Sequence, residues 1–133
     1  MFNDTITIYN KYTGQDGLER WKRTVLSGVY WHTVRGATMR KTGQSSADST
    51  QVIVPFTAKA ARKYIPPKAW QALTDKSGFY TIQSGDTIIK GNIPNEVMSS
   101  IKELNGYDEI TVVISVDIKN TGNNMAHFDI MGK

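Results

Sequence analysis

The run Glu109-Ile110-Thr111-Val112-Val113-Ile114-Ser115-Val116-Asp117-Ile118 constrains this chain more than any other segment. β-Branched side chains dominate it, and such side chains are stiff at χ1 and pack well on a pleated surface. Its period of two places Ile110, Val112, Ile114, Val116 and Ile118 on one face, with Thr111, Ser115 and Asp117 mostly on the other. A half-buried strand is expected, with the isoleucine and valine face turned to a core. The chain then runs through Asn120-Thr121-Gly122-Asn123-Asn124 into Ala126-His127-Phe128-Asp129-Ile130, which predicts a hairpin with a several-residue loop.

Shorter segments repeat the theme. Residues 5–9 alternate and predict an opening strand with Ile6 and Ile8 inward and Thr5, Thr7 and Tyr9 on the other face. Residues 13–17 hold two glycines and predict a turn. Residues 21–32 predict a long strand, bent or split at Ser27-Gly28, where glycine marks a bulge. Residues 50–56, 79–82 and 87–91 read as further strands, Pro55 marking an end or an edge. Residues 58–63 are good helix formers, yet Pro66-Pro67 closes any helix soon after. Residues 68–73 predict one helical turn with Trp70 and Leu73 on one side. The best helix candidate is 95–104, capped by Asn95, with Val97, Ile101 and Leu104 as its stripe. Residues 34–50 lack a clear period and predict a long flexible loop, part of which fits a hairpin through Met39-Arg40-Lys41.

This balance predicts a mainly β fold: a small β-barrel or barrel-like sandwich with one short helix and a long loop. Closing the sheet shields strand edges. At 133 residues, the chain is expected to form a single domain over 1–133, because two halves would each have a marginal core.

Composition removes several chemistries. The absence of cysteine excludes disulfides, thiolate nucleophiles and Cys-based metal sites. Only His32 and His127 titrate near neutrality when unperturbed, and neither sits in a recognised catalytic frame. Asp117, Asp129 and His127 lie near one another on the predicted hairpin, but their spacing is not specific for a metal, and a solvated face is the simpler reading. Glu103, Asp108 and Glu109 read the same way. No GxxxxGK[ST], GxSxG or HExxH occurs. We therefore expect no enzyme, no cofactor and no metal. No run of eighteen apolar residues exists, and the amino terminus lacks a basic n-region and apolar h-region, so intracellular synthesis is expected.

The net charge of +4 is uneven: from Arg20 to Lys63 there are nine basic residues and one acid, Asp48. The charges form no compact run and carry no nucleic-acid motif, so a solvated face or a charged assembly face fits them better than contact with a nucleic-acid backbone. Most aromatics are expected in the core. Tyr30 and Trp31 must point to opposite faces of a regular strand, so whichever is exposed marks a contact site.

Residues 2–12 (Phe2-Asn3-Asp4-Thr5-Ile6-Thr7-Ile8-Tyr9-Asn10-Lys11-Tyr12) and the stretch from Trp21 to Trp31 resemble a small family of phage and prophage proteins from Gram-positive bacteria. Gly85-Asp86-Thr87-Ile88-Ile89-Lys90-Gly91 and the closing Ala126-His127-Phe128-Asp129-Ile130-Met131-Gly132-Lys133 are similar too, with Phe128 where that family favours tryptophan. Such proteins are similar in length and strand order to head-completion or stopper proteins. The resemblance implies a virion protein of the neck, made in the bacterial cytoplasm and assembled as a homo-oligomeric ring. Its partners would be portal or adaptor and tail proteins, with non-specific contact to packaged DNA and none to a membrane. Arg35, Arg40 and Lys41, with Tyr30 and Trp31, are the expected assembly or DNA-channel contacts. A minor capsid or tail-completion protein, and a small basic nucleic-acid-binding protein, are the alternatives.

Overall fold

The computed structural model describes residues 3–14, 16–34, 49–94, 104, 106–107, 109–119 and 126–133. Strand β1 (Asp4–Thr13) forms an antiparallel hairpin with β2 (Glu19–Val34), Tyr9 opposite Arg23 and Thr13 opposite Glu19. In the connecting turn Gly17 takes φ +81, and Asp16 Oδ1 accepts the Leu18 N–H at 3.1 Å. Strand β2 is the long bent strand that the sequence predicts. Its bend is at Gly28, whose φ of +78 is a conformation that side chains with a Cβ rarely adopt. Beyond the bend β2 leaves β1 and pairs with β3 (Ser49–Pro55), Tyr30 opposite Ile53 and Val34 opposite Ser49.

A second strand changes partner in the same way. Strand β8 (Ile110–Lys119) begins against β7 (Thr87–Lys90), with Thr87 opposite Val112. From Val113 onward it pairs with β9 (His127–Gly132). The order β1-β7-β8-β9-β3-β2 returns to β1, so six strands pair in a closed, wholly antiparallel circuit. The mainly β, barrel-like sandwich is thus as expected.

The remaining elements cover this circuit. Residues 58–63 are extended instead of helical: β4 (Lys59–Ala60) pairs with Leu26 and Ser27 of β2, and β5 (Lys63–Tyr64) pairs in parallel with β6 (Phe79–Tyr80). Sheet partners outweigh helix propensity there, and the prolines start the helix later, as α1 (Pro67–Ala72). Trp70 on α1 is fully buried, and Leu73 beside it is half-buried. The 95–104 helix candidate lies outside the described residues except for Leu104, which is buried. The 34–50 loop lies outside them from 35 to 48, as does the hairpin loop at 120–125.

Inside the circuit Ile6, Ile8, Leu26, Trp31, Val52, Val54, Ile88, Val113, Phe128 and Ile130 form the main core. A second cluster of Tyr9, Ile89, Ile93 and Leu104 lies on the other face of β1 and β7. Ile6 and Ile8 do face inward, but Thr7 and Tyr9 on the opposite face are also fully buried. Thr7 is accommodated because its hydroxyl donates to Gly91 O at 2.7 Å and accepts the Ile93 N–H at 2.9 Å.

Strand β8 departs furthest from expectation. Thr111 and Val113 point inward, whereas Val112 and Ile114 are 45% and 54% exposed. Val113 pairs with Gly132 and Ser115 with Met131, which makes Ile114 the extra residue of a bulge. One extra residue reverses the alternation, so Val116 packs on the core while Ile114 faces outward. Ile110 joins the second cluster, and Ile118, opposite Phe128, is 58% exposed. At this crossover Gly132 leaves no room for a side chain: a Cβ there would clash with Thr111 and come within 3.0 Å of Val112 O.

One buried polar group ties the layers together. The Asn10 side chain acts as a peptide group toward Thr81: Oδ1 accepts the Thr81 N–H at 3.2 Å, and Nδ2 donates to Thr81 O at 2.7 Å. Nδ2 also donates to Asp86 Oδ2 at 2.7 Å. Asp86 Oδ1 accepts from Lys11 N at 3.0 Å and from Gln83 Nε2 at 3.1 Å. Burial outweighs these donors and pushes the Asp86 carboxyl up from 3.8 to about 6. The folded protein therefore binds this proton more tightly than the unfolded chain does between those values. The contribution of Asp86 falls as pH rises through that window, by about 3 kcal/mol in all.

Two measurements check this. The Asp86 side-chain carbon is expected to titrate with a midpoint near 6 by NMR; a midpoint at or below 4 contradicts the account. Asn10→Asp places a second carboxyl beside Asp86, so chemical denaturation is expected to show marked destabilisation at pH 7 that is partly relieved near pH 5. Gly132→Ala is expected to lower stability by about 1–3 kcal/mol through overpacking at the crossover.

Candidate assembly surface

Strand register assembles a continuous outer face from β8, β9, β3 and β2. One cross-strand row runs Ser115, Met131, Gln51, His32; the next runs Asp117, Asp129, Ile53, Tyr30. The alternation that buries Phe128, Ile130, Val52 and Val54 sends these neighbours outward. Val112 and Ile114 prolong the face along β8, and Met131 is 36% exposed beside them. Ile118 is not part of this face: it shares the side of buried Phe128 and is exposed near the strand end, as is Phe56, whose ring lies 4.9 Å from that of Phe128.

Polar groups on this face are mostly engaged with one another. The rings of Tyr30 and His32 stack at 6.0 Å with planes 8° apart. Gln51 Nε2 donates to Asp129 Oδ1 at 3.0 Å, and Lys119 Nζ lies 3.2 Å from Asp117 Oδ2. Asp117 stands directly opposite Asp129, while His127 is two register pairs further, opposite Lys119. Among the described residues no group of three His, Asp or Glu side chains is placed to hold a metal. The face thus combines exposed apolar area with the Lys119–Asp117 ion pair and the Gln51–Asp129 hydrogen bond.

The structure separates the two aromatics that the sequence singles out. Tyr30 reaches the outer face, whereas Trp31 is 7% exposed and belongs to the core. The Trp31 indole N–H donates to Thr33 Oγ1 at 3.0 Å and its backbone N–H to Asp4 Oδ2 at 2.9 Å, so it offers no surface contact. Arg35, Arg40 and Lys41 lie outside the described residues. Two of the described basic residues have local partners. Arg20 is 2.5 Å from Asp16, and Arg23 donates to Asn92 Oδ1 at 2.9 Å and to Ile93 O. Sequence reasoning misses Val112, Ile114 and Met131 as surface groups, because alternation alone says nothing of a bulge.

A model of a family of unknown function, DUF6751, matches residues 1–133. The chain belongs to this family. No curated protein and no solved structure matches it. The closed circuit and its outer face are therefore features of a DUF6751 chain read directly from its own residues.

The inverted register of β8 makes a sharp contrast between neighbours. Val113→Thr is expected to cost about 1–3 kcal/mol in denaturant unfolding, because it buries a hydroxyl without a partner. Ile114→Thr is expected to change stability by less than about 0.5 kcal/mol, as surface substitutions usually do. The opposite ranking would restore the simple alternation.

Proposed function

We propose that this chain is a structural subunit of a phage head–tail connector, a head-completion or stopper protein that forms a homo-oligomeric ring between portal or adaptor and tail. The observation that carries the self-association is the outward-facing apolar group Val112, Ile114 and Met131, on the sheet face whose next cross-strand row holds Ile53 and Tyr30. Contact with another subunit would remove that group from water, a gain of about 25 cal/mol per Å² of apolar surface buried. The likeness of residues 2–12, 21–31 and 85–91 to phage and prophage proteins supports the place in the virion. In this role the work is mechanical: docking under the portal or adaptor, and presenting a surface to the tail.

The test has two arms. Purified protein is expected to show a concentration-dependent mass above that of the monomer in light scattering. Ile114→Lys combined with Met131→Lys is expected to shift it to monomer while leaving the unfolding transition in place. Imaging of mature particles is expected to place the chain in the neck. A protein that stays monomeric at about 100 μM, joins no portal complex and is absent from particles would sink the proposal; density elsewhere in the particle would replace it with a minor capsid or tail role.

A further inference from the structure

Where the β1–β2 turn meets α1 and the segment after it, the surface holds a depression of about 580 Å³ lined by Tyr12, Gly14, Arg20, Gln71, Thr74 and Lys76, with Asp16 beside Arg20. Lys76 is 8% exposed, unusually buried for a lysine. Its ammonium donates to Leu73 O at 2.7 Å and lies 5.2 Å from the Tyr12 ring centroid and 5.1 Å from that of Trp70. Those two rings meet edge to face at 5.7 Å; Tyr12 lines the depression, and Trp70 is fully buried. Among the described residues no carboxylate pairs with Lys76.

That ammonium is incompletely compensated. One carbonyl uses one of its three protons, and the two aromatic faces attract it without neutralising it. A buried cation without a counter-ion is costly, and a ligand anion removes that cost. The rest of the lining adds no net charge. Arg20 and Asp16 cancel at 2.5 Å, and Asp16 is held ionised by the Leu18 N–H and the Arg20 guanidinium, which keep its carboxyl below the usual range. The depression thus carries one uncompensated positive charge. A dianion would overshoot that charge and meet Asp16, whereas a carboxylate matches it. Gln71 and Thr74 supply neutral hydrogen-bonding groups on the rim.

We propose that this depression is a binding site for a carboxylate-bearing ligand whose single negative charge pairs with the Lys76 ammonium. It is remote in sequence from the outer face of β8 and stands whether or not the chain forms a ring.

The experiment is an NMR titration of the full chain at low salt. The probes are acetate, a doubly blocked Gly-Glu-Gly peptide, its Gly-Gln-Gly counterpart and inorganic phosphate. Saturable shifts of the Gly14, Gln71, Thr74 and Lys76 amides are expected with the glutamate peptide, and binding at least about tenfold weaker with the glutamine peptide. Lys76→Met is expected to abolish the response. Asp16 and Arg20 are exposed, so their variants test the charge argument even if Lys76→Met fails to fold. Asp16→Asn, which raises the lining to +2, is expected to tighten binding several-fold, and Arg20→Gln to weaken it. A glutamate peptide that binds more tightly than acetate makes the source a polypeptide acid, and equal binding makes it a small free carboxylate; both support the site. The proposal is overturned if neither carboxylate saturates, if glutamine binds as well as glutamate, if phosphate binds most tightly, or if Asp16→Asn weakens binding.

Discussion

Closure of this sheet depends on two strands that each belong to both of its halves. Strand β2 passes from β1 to β3 at Gly28, and β8 passes from β7 to β9 at the Ile114 bulge. Each transfer leaves the strand continuous while changing its direction and partner, which is how bulges turn corners in barrels. Without either bend the circuit would open, leaving unpaired backbone along two edges. Gly132 at the second corner has the same logic, since the two strands approach too closely there for any side chain.

The layers outside that circuit need a different device, because irregular backbone offers its neighbours no ladder. Asn10 supplies one by presenting an amide to Thr81 in place of a strand, and Asp86 anchors the far side of that amide. Every donor around Asp86 favours its ionised form, yet burial wins and raises its carboxyl to about 6. A group that holds the fold together at neutral pH therefore does so at a cost that acid relieves. Thr7 solves the same problem on the opposite side of β1 with a hydroxyl shared between Gly91 and Ile93.

The bulge that closes the sheet also creates its outer face. By reversing the alternation, it sends Ile114 outward beside Val112 and Met131, one cross-strand row away from Ile53 and Tyr30. Fold closure and exposed apolar surface thus have one geometric cause. The Lys76 depression has another: Trp70 of α1 and Tyr12 of β1 place their rings against the lysine ammonium, so burial and charge come together.

Much of the architecture is legible in local pattern. The strands at 5–9, 50–56, 87–91 and 110–118, the bend at Gly28 and the short helix around Trp70 all follow from periodicity, β-branching and the φ freedom of glycine, which neighbouring residues control. Residues 58–63 are not legible in this way, because pairing with β2 and β6 overrides a modest helix propensity. Neither is the inner face of β8. Its two faces are both rich in β-branched residues, so only the register against Gly132 and Met131 decides which one is buried. The charge total conceals Arg20–Asp16 cancellation and an isolated Lys76, since both depend on which side chains the fold brings within a few ångströms. Periodicity, β-branching and composition suffice for a mainly β chain with a short helix at Trp70 and no cysteine chemistry. Which residues face out is set by the folded arrangement, because burial and pairing belong to contacts between segments far apart in the chain.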